Sequence, residues 1–225
     1  GLGGEDVMFS GNFLSDEDIS QGLDSGVIFN LDDISILPRV LKQSVPKILS
    51  FRINPGYGRS NVGEYVTNAG AGAKFGLHPE MVTEAYRQAK NAGVKRFGVH
   101  MMPGSCITDP DYFSFVTNLL MEIVGKTARE LKINFEFIDI GGGLGIPYKG
   151  DEKELDIEKT ANNMRDVLSY GGPDDFGSYV DKSQGLALGH RRLSILDLSS
   201  QGHQPMWDAS KQYAIIFNGE VYNFQ

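Results

Sequence analysis

Apolar residues along the first two thirds of the chain fall into short runs separated by stretches with helical spacing. Val7 to Phe9, Val27 to Phe29, Ile48 to Ile53, Phe97 to His100 and Phe135 to Ile140 read as strands. Between them, Ser15-Asp-Glu-Asp is a helix start, a hydroxyl cap followed by acids in the first turn. A second helix is predicted from Asp32 to Lys42, with a kink or early break at Pro38. Asn54-Pro55-Gly56 closes the third strand as a turn. Pro79 to Ala92 is helical, with proline in its first turn and Gly93 just past its end. Asp109 caps a long helix from about Tyr112 to Leu131, whose apolar face is Phe113, Val116, Leu120, Ile123 and Val124.

Strand and helix alternating at this spacing predict a parallel sheet. Five such units fit a partial (β/α) barrel better than a doubly wound sheet, although periodicity alone does not separate the two. Past about Asn162 the pattern changes. A short helix, Met164 to Ser169, leads into the turn Gly171-Gly-Pro-Asp-Asp. Short strands follow at Ser178 to Val180, Leu186 to His190, Leu193 to Leu196 and Tyr213 to Phe217, with no helices between them. This pattern is antiparallel. The charged stretch from Lys149 to Glu154 starts a linker, which divides the chain into residues 1–155 and 156–225.

Composition narrows the function classes. A net charge of −8 with scattered acids gives no footprint for nucleic acid or an anionic membrane. No apolar run approaches the roughly 20 residues of a membrane span. The single cysteine, Cys106, excludes an internal disulfide and points to a reducing, cytoplasmic setting. The opening residues lack the regions of a signal peptide, and the chain does not begin with Met, as expected of a fragment or a processed product.

Chemistry concentrates where strands end. FIDIGGGLGIPY, residues 137–148, sets glycines at the carboxyl end of a strand, where successive N–H groups can form a concave anion site. The same glycines serve equally well as a tight strand exit. VHMMPGSC, residues 99–106, ends another strand with Gly104 and the hydroxyl of Ser105, while a lone His100 there is more often structural. Lys74 lies in a glycine-rich loop, either as a solvated charge or as a cation at the mouth of the sheet.

Taken in order, FSGNFLSDEDI, FRINPG, AKFGL, GVHMMPGS and FIDIGGGLGIPY resemble the barrel of pyridoxal-phosphate-dependent decarboxylases of the diaminopimelate/ornithine/arginine type. The resemblance implies a partial (β/α) barrel of the alanine-racemase-like type (fold type III). It also implies pyridoxal 5'-phosphate as cofactor, with Ser105, Gly141, Gly142 and Gly143 around its phosphate. Those enzymes carry a Schiff-base lysine on their first barrel strand, which would lie before residue 1. Met102 stands where they have a histidine stacked on the pyridine ring.

MRDVLSYGGPDDFGSYV, LGHRRLSILDLSSQGHQPM and IFNGEVYNF resemble the glutaminase domain of glutamine-hydrolysing asparagine synthetases, which are class II amidotransferases. This resemblance implies a partial antiparallel α+β domain of the Ntn-hydrolase type. Arg192, Leu193, Ser194 and Ile195 would contact glutamine, Asn218 and Gly219 would form the oxyanion hole, and Glu220 would hold the amino-acid end. The nucleophile of that family is an amino-terminal cysteine, whereas this chain begins with Gly1. Gly171 replaces an arginine usual in the turn.

These resemblances lead us to expect two partial enzymes joined end to end. They would retain a phosphate site and a glutamine site, and would have no catalytic residue or metal of their own. The partners expected are small amino acids, including glutamine. A half-closed barrel also leaves two open edges, so self-association or a complementing chain is expected.

Overall fold

The computed structural model describes residues 1–61, 69–194 and 198–217, and its chain divides into two compact units. The first unit comprises residues 1–107 and 118–146, and the second 108–117 and 147–225.

The first unit is built on a five-stranded sheet: β1 (Met8–Gly11), β2 (Ile28–Leu31), β3 (Ile48–Ile53), β5 (Arg96–Met101) and β7 (Phe135–Asp139). The short β4 (Arg59–Ser60) and β6 (Gly104–Ser105) pair with each other in parallel. The main sheet is parallel throughout, with its strands side by side in chain order. That order resolves what periodicity left open. A doubly wound sheet reverses direction at a switch point, whereas a barrel wedge adds each strand beyond the last.

The intervening helices are α1 (Asp16–Ser25), α2 (Leu37–Gln43), α3 (Pro79–Asn91) and α4 (Pro110–Leu131), whose residues up to Thr117 are counted with the second unit. The cap at α1 forms as its sequence predicts. Ser15 Oγ accepts from Asp18 N–H at 3.0 Å, Asp18 Oδ2 accepts from Ser15 N–H at 2.8 Å, and Gly26 closes the helix at φ 68°. Pro38 does not kink α2. The segment from Ile34 to Ile36 is a 3-10 turn, so Pro38 falls in the first turn of α2, where its missing N–H leaves no bond unmade. Asp109 does cap α4, its Oδ1 accepting from Asp111 N–H at 3.1 Å. Phe113, Val116, Leu120 and Val124 on the predicted face are buried.

Alternation along the strands gives the sheet two unlike faces. On one, Phe29, Leu31, Leu49, Phe51, Ile53, Phe97, Val99 and Met101 are buried. Each large side chain so buried stabilises the unit by about 1.5–3 kcal/mol. Tyr86 of α3 centres this core. Its ring meets Phe51, Phe97 and Phe135 edge-on at 5.0–5.8 Å, and its hydroxyl donates to the Gly98 carbonyl at 2.7 Å. Burial pushes the Tyr86 phenol far above its ordinary range. The opposite face carries Ser10, Asn30, Ser50, Arg52, His100 and Asp139. Gly98 also faces that way, with the Phe137 ring lying over it: a Cβ at Gly98 would come within 2.0 Å of that ring.

The second unit contains α5 (Ile157–Val167), the antiparallel hairpin of β8 (Asp175–Asp181) and β9 (Leu186–Arg192), and a small antiparallel pair, β10 (Met206–Trp207) with β11 (Ala214–Ile215). The helix expected at Met164 to Ser169 instead begins at Ile157, because Asp156 caps it, accepting from Lys159 N–H at 2.9 Å. Leu193 and Ser194 lie beyond β9 and outside any strand, and residues 195–197 lie outside the described residues. The strand predicted at Tyr213 to Phe217 is paired only at Ala214 and Ile215, against a partner strand that periodicity did not mark. Among the described residues, no helix is long and apolar enough to cross a membrane.

Candidate functional site

In the first unit the polar face rises to the carboxyl ends of the strands in two rows. Ser10, Asn30 and Ser50 are in register across β1, β2 and β3. One step higher, Arg52, His100 and Asp139 are in register across β3, β5 and β7. Asn30, fully buried, ties the rows together. Its amide nitrogen lies 2.8 Å from Ser10 Oγ and 3.2 Å from His100 Nδ1, and its oxygen accepts from Ser50 Oγ at 2.9 Å. An amide N–H aimed at Nδ1 makes that nitrogen the acceptor, which places the imidazole proton on Nε2. Burial holds His100 below its ordinary pKa. Asp139 pulls the other way and Arg52 reinforces the shift.

Asp32 follows β2, and its carboxylate lies 3.5 Å from Arg52 Nη1, both groups largely buried. Burial raises the Asp32 pKa against the pull of Arg52, and Asp32 Oδ1 has no hydrogen-bond donor among the described residues. The Arg52 guanidinium also sits 5.1 Å from the centre of the Phe75 ring. Phe75 reaches this position because Asn54 binds both the N–H and the carbonyl of Gly70, while Leu77 bonds to Arg52 and Asn54 along the backbone. Lys74, next to Phe75, is exposed.

Beyond β7, the glycine turn sits against β6. Gly141 and Gly143 have φ of 73° and 87°; a Cβ would lie 2.2 Å from the Met101 carbonyl oxygen at the first and 2.4 Å from that of Gly104 at the second. Only glycine fits either position. The structure thus brings Gly141, Gly142 and Gly143 beside Gly104 and Ser105. Two N–H groups of the turn already have partners within the chain. Gly141 donates to Asp139 Oδ1 at 2.7 Å, and Gly142 donates to Met102 Sδ at 3.3 Å.

In the second unit, Arg192 ends β9. Its Nη1 donates to the Ser199 carbonyl at 2.8 Å, and its guanidinium packs on Gly202. A hollow of about 720 Å³ is lined in part by Asp174, Asp175, Arg192, Ser194 and His203. Asp174 Oδ2 accepts from Ser194 N–H at 2.8 Å, and Asp175 Oδ2 lies 2.9 Å from His203 Nδ1. Burial raises the Asp175 pKa, but the hydrogen bonds from His203 and the Phe176 N–H, with the nearby His203 and Arg192, together outweigh it and leave the carboxyl below its ordinary value. Leu193 is exposed, and Ile195, Asn218, Gly219 and Glu220 lie outside the described residues. Among the described residues, no group of three or more His, Cys, Asp or Glu side chains could hold a metal ion.

The sequence pattern described as the pyridoxal binding domain of pyridoxal-dependent decarboxylases matches residues 1–176. The chain belongs to this family. Its decarboxylase relatives include the diaminopimelate decarboxylase of Thermoplasma acidophilum, 38% identical over 159 residues covering 70% of this chain and 38% of the relative. That of Methanothermobacter thermautotrophicus is 38% identical over 172 residues, 74% of this chain and 40% of its own length. The solved diaminopimelate decarboxylase of Helicobacter pylori, complexed with L-lysine, aligns with a TM-score of 0.65 at 25% identity, covering 72% of this chain and 42% of that one. The chain spans about two fifths of the length of these decarboxylases. A glutamine amidotransferase domain pattern matches residues 143–225, so the two matches overlap over 143–176. A Methanocaldococcus jannaschii protein assigned to the glutamine-hydrolyzing asparagine synthetases is 38% identical over 84 residues, 30% of this chain and 16% of its own.

Sequence reasoning singled out the glycine turn of this decarboxylase-family chain and overlooked the polar rows. The signal was present: Ser50 and Arg52 alternate with Leu49, Phe51 and Ile53, and His100 stands between Val99 and Met101. A buried parallel strand normally reads as a continuous apolar run. Alternation within one therefore marks a face reserved for something polar.

Proposed function

We propose that the first unit binds the phosphate of pyridoxal 5'-phosphate at Gly141, Gly142, Gly143 and Ser105. The polar rows below would then face the pyridoxal ring and an amino-acid substrate. The observation that carries this reading is the turn itself: two glycines that admit no side chain, beside a hydroxyl, at the carboxyl end of a parallel sheet. These residues fit a phosphate group. When bound, the cofactor supplies the electron sink for amino-acid decarboxylation. The chain's own part is to seat it, to hold His100 neutral with its proton on Nε2, and to keep Arg52 close to Asp32. The L-lysine held by the Helicobacter pylori relative supports a basic amino acid as the ligand class.

The second unit, on the same proposal, carries a partial glutamine site at Arg192, Leu193, Ser194 and Ile195, with Asn218, Gly219 and Glu220. The chain's one cysteine, Cys106, lies outside residues 143–225, so we assign glutamine binding and not hydrolysis to that region. The chain as a whole is read as a fusion that holds ligands of both kinds. Exposed apolar side chains at Ile138, Leu144 and Ile146, on and beyond edge strand β7, fit self-association or a complementing chain.

The test is a calorimetric titration of the chain with pyridoxal 5'-phosphate, beside the variant Gly143→Ala. The added methyl meets a backbone oxygen, so affinity should drop by at least about tenfold, about 1.4 kcal/mol, while circular dichroism stays native. Equal affinity in the two proteins would remove the turn from the site.

A further inference from the structure

Met102 follows β5 directly, and its side chain lies across the glycine turn. Its sulfur accepts the Gly142 N–H at 3.3 Å and stands 3.1 Å from where a Cβ on Gly141 would be. A thioether is a weak acceptor, and the methionine side chain turns on three soft bonds. A phosphate oxygen is a far stronger acceptor, and it would need the same N–H from the same side. One N–H cannot serve both well. We propose that Met102 is a built-in stopper of the phosphate cradle: its thioether holds the Gly142 N–H until a phosphate-bearing ligand displaces it.

This inference rests on the cradle reading above and adds a selectivity to it. Ligands with a strongly accepting oxyanion displace the sulfur, whereas neutral or weakly accepting ones do not. Asp139 already holds the neighbouring Gly141 N–H, so Gly142 is the group whose release decides entry.

The experiment titrates the full chain and its Met102→Ala variant with pyridoxal 5'-phosphate and, separately, with inorganic phosphate, by calorimetry. Removing the competing acceptor should tighten binding of both ligands by roughly three- to tenfold, the range of one modest hydrogen bond. Equal or weaker binding by Met102→Ala would overturn the stopper while leaving the cradle intact. If neither protein bound either ligand, the cradle reading would fall and the stopper with it. A second measurement needs no variant: the assigned 13C-methyl resonance of Met102 should move as the wild-type protein is titrated. Saturation with an unmoved methyl would refute displacement even if Met102→Ala failed to fold.

Discussion

Asn30 is the joint on which the polar face turns, and replacing it with leucine of similar volume gives a prediction that the structure makes quantitative. The change breaks three contacts of unequal worth. Ser10 is exposed, so water replaces its lost partner and that bond contributes little. Ser50 is fully buried, and its hydroxyl would be left without an acceptor at about 1–3 kcal/mol. His100 is half-buried, and its Nδ1 would lose a donor that water replaces only in part. Together these give a loss of about 2–4 kcal/mol in the first unit. The measurement is native-state hydrogen exchange at the β2 and β3 amides, which reads that unit without assuming that the whole chain unfolds at once. A second substitution sharpens the test. Ser50→Ala alone should destabilise, because it strands the Asn30 oxygen, yet added to Asn30→Leu it should restore about 1 kcal/mol by removing the stranded hydroxyl. A double variant no more stable than Asn30→Leu would show that Ser50 never depended on Asn30.

The remaining predictions concern charge and turnover. His100 has its pKa depressed by burial, so the unfolded chain binds its proton first: its stability contribution is present above about pH 6.5 and fades as pH falls through the lower folded value. His190 is depressed by burial in the same direction, so His100→Gln should remove part of the acid loss seen by urea unfolding, not all of it. Arg52→Ala leaves Asp32 buried without its counter-charge and should destabilise by about 3–5 kcal/mol; a loss below about 1 kcal/mol in hydrogen exchange would show the pair to be dispensable. Ammonia release from glutamine by these 225 residues should stay at background in a coupled assay, and steady release would refute the assignment of binding alone.

What could be read beforehand follows from how local each signal is. The α1 cap, the Asn54 turn and the glycine exit after β7 were legible because each is settled within a few residues of backbone geometry. Pro38 misled because a proline inside an apolar-periodic stretch looks like an interruption, when here it is a beginning. The start of α5 was missed because Asp156 sits in a charged stretch that reads as linker. Hardest to see was the union of Ser10, Asn30, Ser50 and His100. The partners of Asn30 lie 20 to 70 positions from it and meet it only because parallel pairing sets Ser10, Asn30 and Ser50 in register and brings His100 one step above them. Strand order likewise is a property of long-range pairing, which periodicity along one chain does not contain.

The bare backbone at Gly98 has a consequence for the depth of the site. Because position 98 contributes only a hydrogen there, the tip of the Phe137 ring can lie over it and make an aromatic floor beneath the charged rim. A methyl at that point would lift the floor toward Arg52 and His100, leaving a shallower basin with all of its polar groups unchanged.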